Sequence, residues 1–432
     1  MSAVGSYWEA SAPPGPALAP LESDRTVEVA IVGAGLTGLA AAEALLASGT
    51  SCLVLDAKPL GWGASARCGG SATPRYKQGW AALAALHGDA ATLRLHAELH
   101  AALDSIEARV HRHAIACDFR RSGQATAAHG PRPLAALAAD IDWLCRVAGD
   151  RTPQPLDRDA AAAMLGTPGY PGAYFDPRGG YLHPLAYLRG WARALSHAGA
   201  AIHPESPVLR CSETSDGVLL ETPAARVRAK SVILATNAYT PAGIFPGGLE
   251  RRIVPVASSL IVTAPLSANL AAGVLPAGAI LADTRRILSY ACKLPDGRLM
   301  IGGRGDLTGR REHPASYRRL EQTLRRLFPA LAGIWIEHRW RGMVAVTLDA
   351  LPHLGSLGPR IHYGLGYGGR GLVLAHWVGA MLARRALGEP IDPGPLGEAG
   401  FGPIPLHRWR RPLMQLAAGY WSFLDRREER AR

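Results

Sequence analysis

Along the chain, apolar positions fall into two kinds of run. From Val27 to Val32, and again from Ser51 to Asp56 (SCLVLD), they are nearly continuous, which predicts short buried strands. The alanine- and leucine-rich stretch between them, to about Ser48, predicts a helix, so the chain opens on a strand–helix–strand unit. Arg226–Thr236 (RVRAKSVILAT) and Ile361–Leu365 are further strands. Residues 80–112, 132–148, 184–199 and 372–387 read as helices, with Leu83, Leu86, Leu93 and Leu95 among the apolar positions of the first, and 315–327 as a basic amphipathic helix. Strands are also predicted at 201–208, 252–264 and 286–304, the last folded over the turn Pro295-Asp296-Gly297, and Cys117–Ala127 reads as a strand pair. Residues 1–25, rich in proline and alanine, read as an irregular lead-in. At roughly 150 residues per domain, 432 residues predict two to three domains. No repeat or low-complexity linker separates the elements, so the domains are expected to interleave.

Two glycine loops follow strands and open helices. The first, Gly33-Ala34-Gly35-Leu36-Thr37-Gly38, has the dinucleotide-binding spacing, and Asp56 ends the next strand. With 49 glycines the pattern alone is close to chance; its context is not. Gly33 permits the tight turn, Gly35 lets backbone approach a pyrophosphate, and Gly38 lets helix and strand pack closely. The helix N-terminus offers free N–H groups and partial positive charge to phosphates, while Asp56 suits ribose hydroxyls. These residues leave FAD and NAD equally open. The second loop is Gly366-Tyr367-Gly368-Gly369-Arg370-Gly371. It is either an ordinary strand-to-helix turn or a helix N-terminus aimed at a cofactor edge on which negative charge develops.

Composition narrows the classes. Six scattered cysteines without a CxxC exclude a disulfide scaffold and a zinc-ribbon or iron–sulfur signature, and suit a reducing compartment. His111, His113 and His183 have no ligand spacing, so no metal is expected. The first twenty residues do not read as a signal peptide, and no run is long and apolar enough to predict a spanning helix, so a cytoplasmic protein is expected. The net charge of +12 comes almost wholly from arginine, since Lys58, Lys77, Lys230 and Lys293 are the only lysines. The arginines are spread rather than clustered with aromatics, which favours a compositional bias over a nucleic-acid partner.

The stretch Gly61-Trp62-Gly63-Ala64-Ser65-Ala66-Arg67-Cys68-Gly69-Gly70 resembles the loop after the second strand in the D-amino-acid oxidase/glycine oxidase family of FAD enzymes, and in particular its gamma-glutamylputrescine oxidoreductase-like branch. Ser206-Pro207-Val208, Ala235-Thr236-Asn237-Ala238-Tyr239, Trp340–Gly355 and the GLGYGGRGL segment are similar to family segments and occur in the family's order, over about residues 25–395. The resemblance implies an α/β fold: a Rossmann-like FAD-binding domain of the glutathione-reductase type, interleaved with an α+β substrate domain built on an antiparallel sheet. Residues 26–80, 150–245 and 340–398 would form the FAD domain and 81–149 and 246–339 the substrate domain. Residues 399–432 would form a C-terminal basic amphipathic helix.

The resemblance also implies the site. Gly33, Ala34, Gly35, Leu36, Thr37, Gly38, Asp56, Ala57 and Lys58 would hold the ADP half of FAD. Gly63, Ala64, Ser65, Arg67, Cys68, Gly69 and Gly70 would run along the pyrophosphate and isoalloxazine. Val208 would meet the adenine through its backbone, with Thr236 nearby, and Gly368, Gly369, Arg370, Gly371 and Leu372 would meet the pyrimidine edge of the flavin. Cys68 replaces the asparagine usual in this branch and reads as a small residue in a crowded loop. Gly342 stands where sarcosine oxidases carry a flavin-linking cysteine, so the FAD is expected to be non-covalent. Met300 and Val373 fall near the positions of those enzymes' oxygen-activating and carboxylate-binding lysines, which speaks against a sarcosine-like substrate. The family reaction is oxidation of an amine or amino acid at the C–N bond, with oxygen or another electron acceptor as oxidant. Tyr290, Arg304, Arg370 and Lys77 are the substrate-side candidates, with Tyr76 beside them; His353 reads as a packing residue. In the C-terminal helix, Leu413, Leu416, Ala417, Tyr420 and Leu424 share a face between arginine flanks (Arg408, Arg410, Arg411; Arg426, Arg427, Arg430, Arg432), which either docks on protein or touches the inner membrane face. The alternatives carried with this reading are a dehydrogenase subunit passing electrons to a quinone or partner protein, and an RNA-modifying flavin oxidase.

Overall fold

The computed structural model describes residues 5–304 and 314–430. Residues 1–4 of the lead-in, 305–313 of the expected substrate domain, and Arg432 of the basic flank lie outside them. Two eight-stranded sheets organise the chain. The first has the order His353–Ser356, Ile361–Leu365, Arg226–Leu234, Arg25–Val32, Cys52–Leu55, Ala201–His203. Its central strands pair in parallel and are buried on both faces, which is why their apolar runs are continuous. The hairpin Arg210–Glu213/Val218–Glu221 extends Arg226–Leu234 in antiparallel fashion.

The helices Leu36–Ala47 and Gly371–Ala386 pack against each other on this sheet. Their contact is close because Gly379 has no side chain: a Cβ there would come within 2.4 Å of the Thr37 carbonyl oxygen and 2.5 Å of Ala40 Cβ. The alanines of the first helix and the glycine of the second are thus one packing feature.

The second sheet has the order Ile336–Val346, Val254–Thr263, Leu299–Arg304, Ser289–Lys293, Ile280–Asp283, Gln124–Ala127, Ala173–Asp176, Gln154–Leu156. All its pairs are antiparallel except Ile280–Asp283 with Gln124–Ala127, which is parallel. Pro314–Leu327 covers one face through Tyr317, Leu320, Leu324 and Leu327.

Four local expectations change. Residues 80–112 are two helices, Trp80–His87 and Asp89–Arg112, because Gly88 turns the chain at φ +82°. Of the strand pair expected at Cys117–Ala127 only Gln124–Ala127 is a strand, while Arg120 makes an isolated bridge to Tyr181. The lead-in contains a helix, Tyr7–Ser11, closed by a Ser6/Glu9 capping box, and its Trp8 is fully buried. The C-terminal helix, Arg410–Arg430, does not dock by the expected face: Leu413, Leu416 and Tyr420 are exposed. Met414, Ala418 and Trp421 pack instead on Val254, Val256 and Ile287.

Charge decides that rotation. One turn beyond Trp421, Asp425 is 5% exposed and accepts from Arg286 Nη1 at 2.8 Å, and Glu428 accepts from Arg286 Nη2 at 2.9 Å and pairs with buried His129. Turning the helix to bury Leu416 would tear these ion pairs apart. No helix among the described residues is long and apolar enough to cross a membrane. Asp425→Ala is expected to lower stability by about 2 kcal/mol, since Arg286 keeps only Glu428; urea denaturation followed by tryptophan fluorescence measures it.

Candidate functional site

Val32, Asp56 and Ala235 stand at the C-terminal ends of three neighbouring parallel strands, and all three line one cavity of about 540 Å³. Gly33 turns the chain there at φ +113°, and a Cβ on it would lie 2.8 Å from the Ala235 carbonyl oxygen. Gly38 packs under the turn: its Cβ would lie 1.9 Å from the Gly33 carbonyl oxygen. The helix that follows has no side-chain cap of its own; Leu36 N–H instead donates to Ser65 Oγ at 3.0 Å. Asp56 accepts from the N–H groups of Ala34 (2.8 Å) and Lys58 (2.9 Å), and its burial raises its pKa despite them.

The second glycine loop meets the first. Tyr367 Oη and Thr37 Oγ1 are 2.7 Å apart, and Gly366 N–H donates to Asn237 Oδ1 at 3.0 Å. Gly368 and Gly369 take positive φ (+58° and +94°), and the helix beginning at Gly371 also lacks a side-chain cap. Two helix N-termini without a cap from their own N-cap residue, the first sharing Leu36 N–H with Ser65, therefore open on the same cavity.

The second sheet supplies the opposite wall. Tyr290 lies flat between two glycines: a Cβ on Gly302 would come 2.1 Å from its Cζ, and one on Gly69 2.4 Å from its Cε2. Gly69, expected to make room for a cofactor, also makes room for this ring. Arg304 and Arg370 line the cavity, and neither has a carboxylate within ion-pair distance among the described residues. Burial pulls both guanidinium pKa values down, that of Arg370 to about 10. Burial of Cys68 pushes its thiol up to about 11, so it stays protonated at neutral pH.

Of the residues expected at the site, Gly33, Ala34, Gly35, Leu36, Thr37, Asp56, Ala57, Lys58, Gly63, Ala64, Ser65, Arg67, Cys68, Gly69, Val208, Thr236, Tyr290, Arg304, Gly368, Gly369, Arg370, Gly371 and Leu372 line the cavity. Gly38 and Gly70 do not: Gly70 takes φ +69° with its Cβ position 2.2 Å from the Leu182 carbonyl oxygen, a backbone contact behind the wall. Lys77 and Tyr76 also stand back from it; Tyr76 packs edge-on against Trp80. Met300 and Val373 are core residues. His353 stacks on Phe401 at 4.2 Å, and His183 caps the Pro184–His197 helix by accepting from Ala186 N–H. Sequence reasoning missed Ser71, Thr73, Gln124, Ser258 and Leu288, all on the cavity wall. Gln124 is 3% exposed and its amide nitrogen has no partner among the described residues. The short strand that carries it, QATA, has too little apolar content to stand out.

The FAD dependent oxidoreductase family model matches residues 28–385. The chain belongs to that family. Gamma-glutamylputrescine oxidoreductase of Escherichia coli is 31% identical over 98% of both chains. Among solved structures, glycine oxidase from Geobacillus kaustophilus aligns over 88% of this chain and 99% of its own at TM-score 0.73 and 19% identity. L-proline dehydrogenase from P. horikoshii aligns over 90% and 99% at TM-score 0.72 and 17% identity. Members of this family are flavoproteins, and FAD is the cofactor of this chain. The cavity fits that group: glycines at 33 and 35 with no room for a Cβ, two helix N-termini for negative charge, and a partly buried acidic residue at the second strand end.

Lys77 links the site to pH. Burial, then Arg304 and Arg370, pull its pKa from 10.5 to about 7, against the opposing pull of Asp283 and Asp425. A lysine lowered in the folded state costs stability below pH 7, and the cost fades as pH rises toward 10.5. An anion beside these three cations relieves the cost. Sulfate is therefore expected to raise Tm by about 2 °C more at pH 6 than at pH 9, and Lys77→Met to flatten the difference, in melts against matched chloride.

Proposed function

We propose that this flavoprotein oxidises the C–N bond of a small amine or amino acid that carries an anionic group. The observation that carries the reading is the placing of two partly buried arginines without carboxylate partners among the described residues, Arg304 and Arg370, in the cavity shared by the two glycine loops. A buried cation without a counter-charge is costly, and a substrate carboxylate offsets that cost. The name of the Escherichia coli relative, an enzyme of gamma-glutamylputrescine, points to the same class: an amine attached to an amino-acid carboxylate.

FAD held in this cavity would supply the two-electron acceptor for oxidation of the C–N bond, and hydrolysis of the imine product would release a carbonyl compound and an amine. In this reading the chain's residues bind and orient. The loops at 33–38 and 63–69 and the carboxylate of Asp56 hold the ADP half and the pyrophosphate. The Gly368–Leu372 turn and its helix end would hold the flavin, the helix end favouring negative charge on it. FAD would be held without a covalent bond, since Gly342, which stands on the cavity wall, has no side chain to offer. Arg304 and Arg370 fix the substrate anion, Tyr290 bounds the space beside it, and the apolar wall of Val256, Leu260 and Val344 excludes water from the amine.

The test is the visible spectrum of the holoprotein under nitrogen, titrated with amines that carry zero, one or two carboxylates. Bleaching by a carboxylate-bearing amine and not by its amide or ester is the expected result. Return of the band on admitting air identifies oxygen as acceptor; a band that stays bleached assigns that role to another carrier. Arg304→Leu is expected to raise KM for the anionic substrate at least tenfold while the oxidised flavin spectrum stays as in the parent. Equal bleaching by neutral and anionic amines overturns the anionic part of the reading, and a flavin that no amine bleaches overturns the whole.

A further inference from the structure

The loop from Arg67 to Gly70 is held from behind by groups on three distant segments. Trp340, on the long strand Ile336–Val346, donates its indole N–H to the Arg67 carbonyl oxygen at 3.0 Å. Trp8, on the N-terminal helix Tyr7–Ser11, donates its own to the next carbonyl, that of Cys68, at 2.9 Å. The two rings meet edge-to-face at 5.9 Å, and His183 packs on Trp8 at 4.7 Å. Leu182 N–H donates to the Gly70 carbonyl oxygen at 2.9 Å.

We propose that Trp8 is a positioning residue of the flavin site, which sets the amide N–H groups of the Arg67–Gly69 loop toward the cofactor. A trans peptide places its N–H opposite its carbonyl. With the carbonyls of Arg67 and Cys68 fixed on the indoles, the N–H groups of Cys68 and Gly69 point to the other side. Arg67, Cys68 and Gly69 line the cavity, whereas Trp8 and Trp340 stand behind them. An indole is a donor only, so neither contact can be inverted by a rotated group. In the proposal these two N–H groups are offered to the space assigned to FAD, held by a helix outside the 28–385 family match. The helix has five residues, too few to persist alone, so its register depends on tertiary anchors. Besides Trp8 these are Tyr7 Oη on Asp296 Oδ2 (2.8 Å) and Ser11 Oγ with His183 Nε2 (3.1 Å).

The inference rests on the FAD reading of the cavity, and its test separates the two. Trp8→Phe keeps a ring and removes the donor. Its FAD dissociation constant is expected to rise about tenfold, the effect of one lost hydrogen bond to a buried carbonyl, with an altered band shape in the bound-flavin spectrum. Tyr7→Phe removes one anchor of the same helix but leaves the Trp8 donor in place, and is expected to lower Tm while raising the dissociation constant clearly less than Trp8→Phe does. A Trp8→Phe holoprotein with parental affinity and spectrum, or a Tyr7→Phe protein with the same loss, overturns the proposal. A second measurement needs no variant: binding is reciprocal, so removing FAD from the parent should speed amide hydrogen exchange in residues 6–12. Equal exchange with and without FAD also overturns it. A parent chain that takes up no FAD strikes instead at the cofactor reading.

Discussion

The contact between the helices Leu36–Ala47 and Gly371–Ala386 is the constraint on which the site depends. Each helix begins at a glycine loop, and the loops lie more than 300 residues apart in the chain. Gly379 against Thr37 and Ala40 brings the helix axes close enough for Tyr367 and Thr37 to share a hydrogen bond. Widen that contact by a methyl group and the two N-termini no longer open on one cavity. The parallel pairing of Arg226–Leu234 with Arg25–Val32 completes the arrangement, since it sets Ala235 against Gly33. Small residues in the helices are therefore part of the site, although they touch no ligand space themselves.

What was legible in the sequence follows from range. The strand–turn–helix around Gly33–Gly38 and the strand ending before Asp56 are local, so apolar runs and glycine spacing define them. The second loop was ambiguous on spacing, and its pairing with Asn237 and Thr37 decides where it faces. The second sheet was harder. Its strands at Gln124–Ala127, Ala173–Asp176 and Ile280–Asp283 have four residues each, too few for a period to show. Gly69 shows the limit of reading glycine from motif alone. The motif says that something approaches closely there; only the fold shows that a tyrosine from residue 290 does.

Both chain ends show long-range contacts overriding local pattern. A proline-rich lead-in gives no reason to expect a buried indole, because Trp8 owes its burial to Tyr181, His183 and Trp340. At the other end the apolar stripe through Leu413, Leu416 and Tyr420 is a sound helical pattern that the fold leaves in solvent. Carboxylates at 425, 428 and 429 meet Arg286, His129 and Arg285, and those partners fix the rotation of the helix. An amphipathic pattern predicts that a helix will dock; it does not choose the face when the opposing surface carries charges of its own.

The same electrostatics distinguish the cavity from the rest of the molecule. Buried arginines elsewhere are answered by carboxylates: Arg75 by Asp140, Arg109 by Glu43, and Arg285 by Asp283 and Glu429. The partly buried Arg304 and Arg370 are not, among the described residues, and Lys77 loses basicity through its burial first and their field second. Partly buried guanidinium groups left without carboxylates where the glycine loops converge carry a local cost. In the proposed function the substrate removes that cost when it binds, so affinity for an anionic amine is built from repulsion within the free protein. The same cavity wall includes small and apolar side chains, such as Ala282 and Val344, which can neither accept a hydrogen bond from the cations nor neutralise them. In the proposed function, discrimination between amines would follow from charge first, and from shape around Tyr290 second.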